Sequence, residues 1–352
     1  SLGARNTAQC VGLEEKMGIH GNATCVMQYD EATGYLIGEA NKGLNLMFVM
    51  MNEARLGVGL QGLGMSEVAY QNAVAFAKDR RQGRSLTGSK EPDQPADSIM
   101  VHPDVRRMLM DAKCFNEGAR AFLFWTALYG DLLHNSPDEK VREKAGDYMA
   151  LMTPVLKAFL TGEGFRHISD AMQVHGGSGF TEHFPASQFL RDSRIAMIYE
   201  GTNGVQALDL VGRKLAGNGG RAIFTFFNEI DAFIADHEGD AQMEPFIEGL
   251  KSAKAQLQDG TMWLMQNGMQ NFDNAGAASH DYLQLFGLTA LAYMWALMAK
   301  AAYTNKGADP FYDNKIVTGR YFLERRLPEA TAHLAKLKTG AEAMMALPAD
   351  AF

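Results

Sequence analysis

The sequence predicts a mainly α-helical protein with two successive antiparallel helical bundles and a residual β-hairpin at its N-terminus. After residue 43, apolar residues recur every three or four positions along most of the chain, which is the period of a helix packed on one face. Only residues 20–42 have the composition of strands. No segment repeats with a period of 20–50 residues, which argues against a solenoid.

The N-terminal part predicts a hairpin. Strand-like residues occur at 24–29 and 35–37, and a polar turn over residues 30–34, ending in Gly34, separates them. One hairpin is not a stable unit in water. We therefore expect residues 1–42 to be the remnant of a β domain whose other strands precede Ser1, and the chain to be the C-terminal portion of a longer protein.

The first bundle is predicted over residues 43–218. One long helix covers about 43–80, and a second begins at Pro103, a residue favoured in the first turn of a helix. A third helix opens at Ser136-Pro137-Asp138 and runs to about residue 173. A loop-rich span and a short helix complete this bundle, at 174–201 and 204–215.

The second bundle is predicted over residues 222–348, with three or four amphipathic helices. Polar or glycine-containing breaks occur at 237–239, 274–276 and 307–310. Residues 282–299 carry no charge, which is near the lower limit for a membrane span. Polar residues and a glycine interrupt this run and alanine is frequent in it, so we expect a buried core helix instead.

Charge and cysteine content limit the partners. The net charge is −8 and no tract of five or more basic residues is present, so we expect neither a nucleic acid nor a membrane surface as a partner. The three cysteines, Cys10, Cys25 and Cys114, are widely spaced and odd in number. This pattern predicts reduced thiols in a cytoplasmic protein and no metal site.

A glycine-rich segment follows the third predicted helix. Gln173-Val174-His175-Gly176-Gly177-Ser178-Gly179-Phe180 contains three glycines in four positions. Such a backbone can approach a flat or phosphorylated ligand closely, and its amides can bind an anion. A tight connection between helices is the alternative, and no strand precedes the segment as a dinucleotide-binding motif requires.

A carboxylate stands just before the next helix, in Tyr199-Glu200-Gly201-Thr202. A Glu between an aromatic residue and a glycine at a helix entrance has a side chain free of helical packing, which suits a general base. The alternative is a solvated or salt-bridged Glu. Thr202 suits the N-cap of the following helix, and that role alone explains a Thr there.

Basic residues give two further candidates. The segment Arg80–Arg84 places positive charge at the end of the long helix, where it suits both the helix dipole and a phosphate group. Arg55 lies among apolar residues, so we expect its partner to be an internal carboxylate or an anionic ligand. His167, His175 and His183 do not have the spacing of metal ligands.

Taken together, these motifs resemble the C-terminal domain of the acyl-CoA dehydrogenases, a four-helix bundle, over about residues 8–215. Residues 222–348 resemble the additional helical domain of the larger bacterial members, and the chain is similar to the subgroup that includes 3-methylmercaptopropionyl-CoA dehydrogenase. The motifs that carry the resemblance are Glu15-Lys16-Met17-Gly18, Ala54-Arg55, Asp79-Arg80-x-Gln82, Gln173-x-x-Gly176-Gly177-x-Gly179-Phe180, Phe189-Leu190-Arg191-Asp192 and Ile198-Tyr199-Glu200-Gly201-Thr202.

The resemblance implies an activity. In the family, the Glu at the position of Glu200 removes a proton from the carbon next to the thioester carbonyl, while the neighbouring carbon gives a hydride to the flavin of FAD. The backbone amide of that Glu and a ribityl hydroxyl hold the developing enolate oxygen. Some members carry the base on the long helix instead, at the position of Ala54, next to Glu53.

The resemblance also implies ligand contacts. In the family, two groups of residues contact FAD across subunits and a third lines the acyl and pantetheine channel, so a homodimer or homotetramer is expected. Here the residues that reach the pyrophosphate of a neighbouring subunit's FAD are Arg80 and Gln82, those at its adenosine end are Gln173, Gly176 and Gly177, the flavin contact is Thr202, and the channel residues are Arg55, Tyr199 and Gly201.

The substrate implied is a short acyl-CoA, such as 3-methylmercaptopropionyl-CoA, and the implied electron acceptor is electron transfer flavoprotein. Two alternatives stay open. An acyl-CoA oxidase uses the same Glu and flavin but reacts with oxygen. A non-catalytic helical scaffold derived from the family needs no carboxylate at a pocket. Because the family's N-terminal helical domain and most of its β domain lie outside this sequence, both an active and an inactive fragment stay open as alternatives for this portion alone.

Overall fold

Helices account for nearly all of the regular structure in the computed structural model, which describes residues 3–352. This confirms the mainly α fold with one N-terminal hairpin. The strands and helices are β1 (Ala8–Leu13), β2 (Cys25–Tyr29), α1 (Gly43–Asp79), α2 (Pro103–Asn135), α3 (Glu139–His175), α4 (Ala186–Arg194), α5 (Asn203–Asp209), α6 (Arg221–Asp236), α7 (Glu244–Asn267), α8 (Phe272–Thr304), α9 (Pro310–Tyr321), α10 (Glu329–Leu337) and α11 (Glu342–Met345). Short 3₁₀ or π turns cover 99–101, 176–180, 195–197, 210–214, 217–220, 322–326 and 349–351.

The hairpin pairs different residues from those predicted. β2 occupies the predicted first strand, but its antiparallel partner is β1, and residues 35–37 form no strand. The side chain of Asn6 bonds the backbone of Thr33 in both directions, at 2.9 and 3.0 Å, and so anchors the chain just beyond β2. The predicted pairing of 24–29 with 35–37 is wrong because the segment before β2 takes the hydrogen bonds of that edge.

The three long helices of the first bundle lie close to their predicted positions. Asp138 caps α3 by accepting a hydrogen bond from Lys140 N at 2.8 Å, as Ser-Pro-Asp sequences favour. Gly62 of α1 lies against Gly164 of α3, and farther along Phe76 lies against His175, so α1 and α3 run in the same direction. This parallel pair positions the residues of the candidate site.

The span 174–201 is more helical than predicted. It contains α4 and two 3₁₀ turns, and only short connections between them are irregular. The α4 helix has nine residues, most of them polar, so it shows little of the apolar repetition that identifies longer helices. Asp192 on α4 accepts a hydrogen bond from Ile19 N at 2.6 Å, which joins the N-terminal segment to the bundle.

The C-terminal part differs from the prediction in two ways. It contains six helices, α6 to α11, because a π turn at 322–326 and Pro328 divide its last section. The predicted break at 274–276 is wrong, since these residues lie in the first turns of α8. Asn271 caps that helix by accepting a hydrogen bond from Asp273 N at 3.0 Å, so the break falls at residues 268–271.

Helix α8 is the centre of the main core. It packs against α2, α3 and α5 on one side and α7, α9 and α10 on the other, and one hydrophobic cluster runs through all of them. Its Trp295 is fully buried and donates to the carbonyl oxygen of Cys114 at 3.3 Å. This helix has the length and hydropathy of a membrane span, but 78% of the apolar window is buried inside the fold. The prediction of a buried core helix is therefore confirmed.

Candidate functional site

The loop before α5 has a strained backbone at the predicted base. Glu200 has φ +57° and Gly201 has φ +82°, both in the left-handed region. Only glycine suits the second position, because a Cβ there would lie 2.6 Å from Nε2 of Gln206. A left-handed Glu costs of the order of 1 kcal/mol and persists only where its surroundings hold it. Residues 200 and 201 are called the Glu200 turn below.

Side chains from three helices hold the two carbonyl groups of this turn. Nε of Arg55, on α1, donates to the carbonyl oxygen of Glu200 at 3.3 Å. Nε2 of Gln206, on α5, donates to the same oxygen at 3.1 Å and to that of Gly201 at 3.3 Å. Nζ of Lys157, on α3, donates to the carbonyl oxygen of Gly201 at 2.8 Å. The strain is thus compensated by charged and amide donors.

The carboxyl group of Glu200 is treated differently from its backbone. Its Oε2 atom is buried and has no hydrogen-bond partner among residues 3–352. A buried carboxylate oxygen without a donor is costly, and in folded proteins such atoms concentrate at functional sites. This oxygen is therefore free to accept a hydrogen bond or a proton from a bound molecule.

Lys157 is a buried cation beside this turn. Its side chain is fully buried, and its ammonium donates to Oδ1 of Asn203 at 3.0 Å as well as to Gly201. Burial and the positive charge of Arg55 lower the pKa of Lys157 to about 8, whereas the negative charge of Glu200 acts in the opposite direction. A buried lysine with this pKa is unusual and marks the region as specialised.

Arg55 has the internal carboxylate partner that its position predicts. Asp209 on α5 lies 4.0 Å from Nη1 of Arg55, and both side chains are nearly buried. Asp209 also pairs with Arg213 at 2.6 Å. Arg55 therefore links the first half of α1 to the Glu200 turn and to α5.

Tyr199 and Thr202 flank the turn. The hydroxyl of Tyr199 donates to the side-chain oxygen of Gln61, and burial raises the pKa of this half-buried tyrosine. Thr202 is the N-cap of α5, because its Oγ1 accepts a hydrogen bond from Val205 N at 3.2 Å. The cap predicted from the sequence is thus present. Thr202, Val205 and Leu208 are exposed and form a mostly apolar surface beside the base.

A second group of predicted residues lies at the far end of α1. Arg80 ends that helix, and the exposed Gln82 begins the loop that follows. The buried carboxylate of Asp97 organises this loop by accepting hydrogen bonds from backbone N–H groups, including Ser85 N at 2.9 Å and Glu91 N at 2.8 Å. These bonds, with that of Ser85 first, lower the pKa of Asp97.

Arg80 differs from the other arginines of this loop. Arg81 pairs with Glu91, and Arg84 pairs with Asp97 at 3.2 Å. Arg80 forms no ion pair within the described part of the chain, residues 3–352. Its exposed guanidinium is therefore available to an anionic group.

The glycine-rich segment lies near this loop, at the end of α3. Gln173, Gly176 and Gly177 are exposed there. Gly176 has φ +57°, which favours glycine, but a Cβ on Gly177 would meet no atom within 4 Å. The described residues give no steric reason for a glycine at position 177. A glycine there leaves the backbone open to close approach by another molecule.

The structure thus places the predicted residues in two separate groups. Five of them form or surround the Glu200 turn, and the other five lie at the ends of α1 and α3. The helical rise of 1.5 Å per residue separates Arg55 and Arg80 by roughly 37 Å along α1. The first group is Arg55, Tyr199, Glu200, Gly201 and Thr202, and the second is Arg80, Gln82, Gln173, Gly176 and Gly177.

Lys157, Asn203 and Gln206 were not predicted from the sequence as residues of this site. Lys157 had a visible signal, because it is the only charged residue between Asp147 and Glu163. That is the same signal that identified Arg55. The two amides have no such signal, since only their contacts with the Glu200 turn distinguish them. Among residues 3–352, no group of three or more His, Cys, Asp or Glu side chains is arranged to hold a metal ion.

Comparisons with protein families agree with the motifs. Residues 41–215 match the family described as "Acyl-CoA dehydrogenase, C-terminal domain", and residues 226–348 match "Acetyl-CoA dehydrogenase C-terminal like". The chain is 39% identical over 345 residues to 3-methylmercaptopropionyl-CoA dehydrogenase of Ruegeria pomeroyi, covering 97% of this chain and 58% of the relative. It is 30% identical to the broad-specificity linear acyl-CoA dehydrogenase FadE5 of Mycobacterium tuberculosis, covering 99% of this chain and 60% of the relative.

A solved structure has the same fold. The acyl-CoA dehydrogenase of Bacillus anthracis, complexed with FAD, superposes with a TM-score of 0.77 at 19% identity, over 94% of this chain and 56% of that chain. The present chain therefore spans a little more than half the length of these relatives.

Proposed function

Because this chain belongs to the acyl-CoA dehydrogenase family, we propose that it carries the catalytic base of an FAD-dependent enzyme that introduces a double bond next to the thioester of an acyl-CoA. The catalytic base is Glu200. The observation that carries this proposal is its buried Oε2 atom, which has no donor in the described part of the chain, on a turn whose backbone is held by three other side chains.

The chain's residues divide the work at this site. Glu200 takes the proton from the carbon next to the thioester carbonyl. The carbonyl groups of the turn are occupied by Arg55, Lys157 and Gln206, whereas the N–H of Glu200 donates to no acceptor among the described residues. That N–H is suited to hold the oxygen on which negative charge develops. Arg55, Tyr199 and Gly201 line the acyl and pantetheine channel beside it.

The fit to FAD rests on the second group of residues and on the exposed surface near Thr202. Arg80 has a guanidinium with no ion-pair partner among residues 3–352, and Gly177 leaves a backbone open to close approach. We assign the pyrophosphate to Arg80 and Gln82, the adenosine end to Gln173, Gly176 and Gly177, and the flavin to Thr202. When bound, the flavin supplies a hydride acceptor.

The separation of the two groups supports a shared site. Roughly 37 Å of helix α1 lies between Arg55 and Arg80, so the base and the pyrophosphate contacts of one chain serve different cofactor molecules. We therefore propose a homodimer or homotetramer in which Arg80 reaches the FAD of a neighbouring subunit. Residues 43–218 form the catalytic helical domain. Residues 222–348 form the additional helical domain, which packs against it through α8.

We propose a short acyl-CoA as substrate, with 3-methylmercaptopropionyl-CoA as the first to test, because the relative of that name is 39% identical. Electron transfer flavoprotein is the proposed acceptor and the cytoplasm the proposed location. An acyl-CoA oxidase differs in its reaction with oxygen. A scaffold without activity does not explain the buried Oε2 atom of Glu200, which has no donor among residues 3–352.

The test is the visible spectrum of the FAD-loaded complete protein after anaerobic addition of 3-methylmercaptopropionyl-CoA and of butyryl-CoA. We expect the flavin absorbance to fall on addition of the acyl-CoA. It should then recover slowly in air but quickly with electron transfer flavoprotein. Rapid recovery in air identifies an oxidase. Bound flavin that does not bleach with any acyl-CoA from short to long chain length refutes the proposed activity and supports the scaffold.

A further inference from the structure

The ammonium of Lys157 holds the backbone of the Glu200 turn, and the proposed reaction gives this group no chemical step. Of the donors that hold its carbonyl groups, the Lys157 ammonium makes the shortest contact, 2.8 Å to the oxygen of Gly201. A hydrogen bond from a charged donor is about twice as strong as a neutral one. Lys157 therefore contributes strongly to holding two consecutive left-handed residues in place.

The position of Lys157 is itself fixed by its neighbours. Asn203 accepts from Nζ through Oδ1 at 3.0 Å, and the same oxygen accepts from Oγ1 of Thr161 at 3.1 Å. The amide nitrogen of Asn203 donates to the carbonyl oxygen of Ala158 at 3.1 Å, which fixes the orientation of the amide group. This network ties the turn to the middle of α3.

Packing alone does not explain a lysine at this position. The surrounding segment of α3 is buried and mostly apolar, and an uncharged side chain of the same length would fill the space without the cost of desolvating a cation. Such a cation is retained where its charge or its hydrogen bonds are needed. The groups that face it are Arg55 from α1 and Glu200 from the turn, and Asp209 of α5 lies behind Arg55.

We propose that Lys157 is a positioning residue for the dehydrogenation: its ammonium fixes the Gly201 carbonyl and so directs the carboxylate of Glu200 at the substrate. This inference rests on the proposed function. It assigns Lys157 no contact with substrate, and it predicts an effect on the rate of proton removal that exceeds the effect on substrate binding.

The test uses the variants Lys157→Met and Lys157→Arg in the FAD holoenzyme of the complete protein. We expect Lys157→Met to retain bound FAD and to lower the rate of flavin reduction by about 10- to 100-fold, since a hydrogen bond from a charged group is removed. Its KM should change less than about threefold, because Lys157 itself makes no contact with the substrate. Lys157→Arg should recover part of the rate. The control is Lys315→Met on α9, which removes a cation that pairs with Glu117 of α2 at 2.7 Å. This variant should leave the rate unchanged.

The pH dependence of the wild type gives a measurement that needs no variant. The pKa of Lys157 is lowered to about 8, so its ammonium is present below this pH and is lost above it. The rate of flavin reduction at saturating substrate should therefore fall as the pH rises through about 8. In Lys157→Met this step should be absent.

Two results would overturn the assignment while leaving the proposed function intact. The first is a Lys157→Met holoenzyme that reduces flavin at the wild-type rate. The second is a wild-type rate that stays constant between about pH 7 and 9, and this result decides the matter if Lys157→Met does not fold. If the wild-type flavin is not reduced at all, the proposed function fails and Lys157 is assigned no role in it.

Discussion

Gly62 on α1 and Gly164 on α3 bring the two backbones into direct contact. A Cβ on Gly164 would lie 2.7 Å from the carbonyl oxygen of Gly62, and a Cβ on Gly62 would lie 2.9 Å from the carbonyl oxygen of Leu160. This contact lies between the site residues Arg55 and Lys157 at one end and the glycine-rich segment at the other. The spacing of α1 and α3, and with it the distance from Arg55 to the Glu200 turn, depends on these two glycines.

Replacing Gly62 by Ala should therefore destabilise the fold. Because the obstacle is backbone, the helices must separate, and overpacking of this kind costs about 1–3 kcal/mol. Gly64→Ala is the matched control, since position 64 is exposed and a Cβ there meets no atom within 4 Å. It should stabilise the helix by about 0.5–1 kcal/mol. Urea unfolding of both variants measures the difference, and equal shifts in one direction would contradict the close contact.

Arg80→Ala should weaken FAD binding without destabilising the fold. The Arg80 side chain forms no ion pair among residues 3–352, so its loss leaves no protein group unpaired. A charge-assisted hydrogen bond to a phosphate is worth about 1.5–3 kcal/mol, which corresponds to about a 10- to 100-fold rise in Kd. Arg81→Ala, which breaks the pair with Glu91, should act mainly on Tm. Fluorescence titration with FAD checks this, and an unchanged Kd for Arg80→Ala would remove Arg80 from the cofactor site.

Lys157 should make the stability of this chain depend on alkaline pH. The ordinary pKa of a lysine is about 10.4, and the folded-state pKa is lowered to about 8, so between these values the unfolded chain binds the extra proton. The free energy of unfolding should therefore rise as the pH increases from about 8 to 10, relative to Lys157→Met. Chemical unfolding of both proteins at several pH values measures this. A parallel dependence in the two proteins would show that the lysine is not desolvated.

His167 should lower stability in acid. Its ring is buried, and burial together with the charges of Arg326 and Arg166 lowers its pKa well below the ordinary value. Below about pH 6.5 this histidine is protonated in the unfolded chain but stays neutral in the folded chain. The free energy of unfolding therefore falls by up to about 1.4 kcal/mol per pH unit. His167→Phe suits the aromatic contact with Phe115 and should reduce this loss. His134→Phe, at an exposed position, should not, and acid unfolding curves compare the three proteins.

Local sequence signals determined the framework of this fold but not all of its contacts. Pro103 and Asp138 mark the starts of α2 and α3, and the apolar repetition of α1 continues over its whole length, so these helices were predictable. The strand β1 was not, because its pairing with β2 crosses a bulge between Cys10 and Gly12 and depends on an eleven-residue connection. Helix α4 is short and polar and was interpreted as loop.

The candidate site divides in the same way. Arg55 and Glu200 were predictable because a lone cation in an apolar helix and a Glu before a glycine are unusual locally. The hydrogen bond of 3.3 Å between them was not, since it joins positions 145 residues apart. Lys157 has a local signal equal to that of Arg55, but its relation to Gly201 arises only from the packing of α3 against the turn.

The most direct test of the account is the Glu200→Gln holoenzyme, mixed anaerobically with butyryl-CoA while the flavin absorbance is followed. Gln has the same shape but cannot take a proton, so we expect FAD to stay bound and its absorbance not to fall. Glu53→Gln is the matched control on α1, and it should bleach as the wild type does. Bleaching of Glu200→Gln at the wild-type rate would contradict the account, and loss of bleaching in Glu53→Gln alone would move the base to α1.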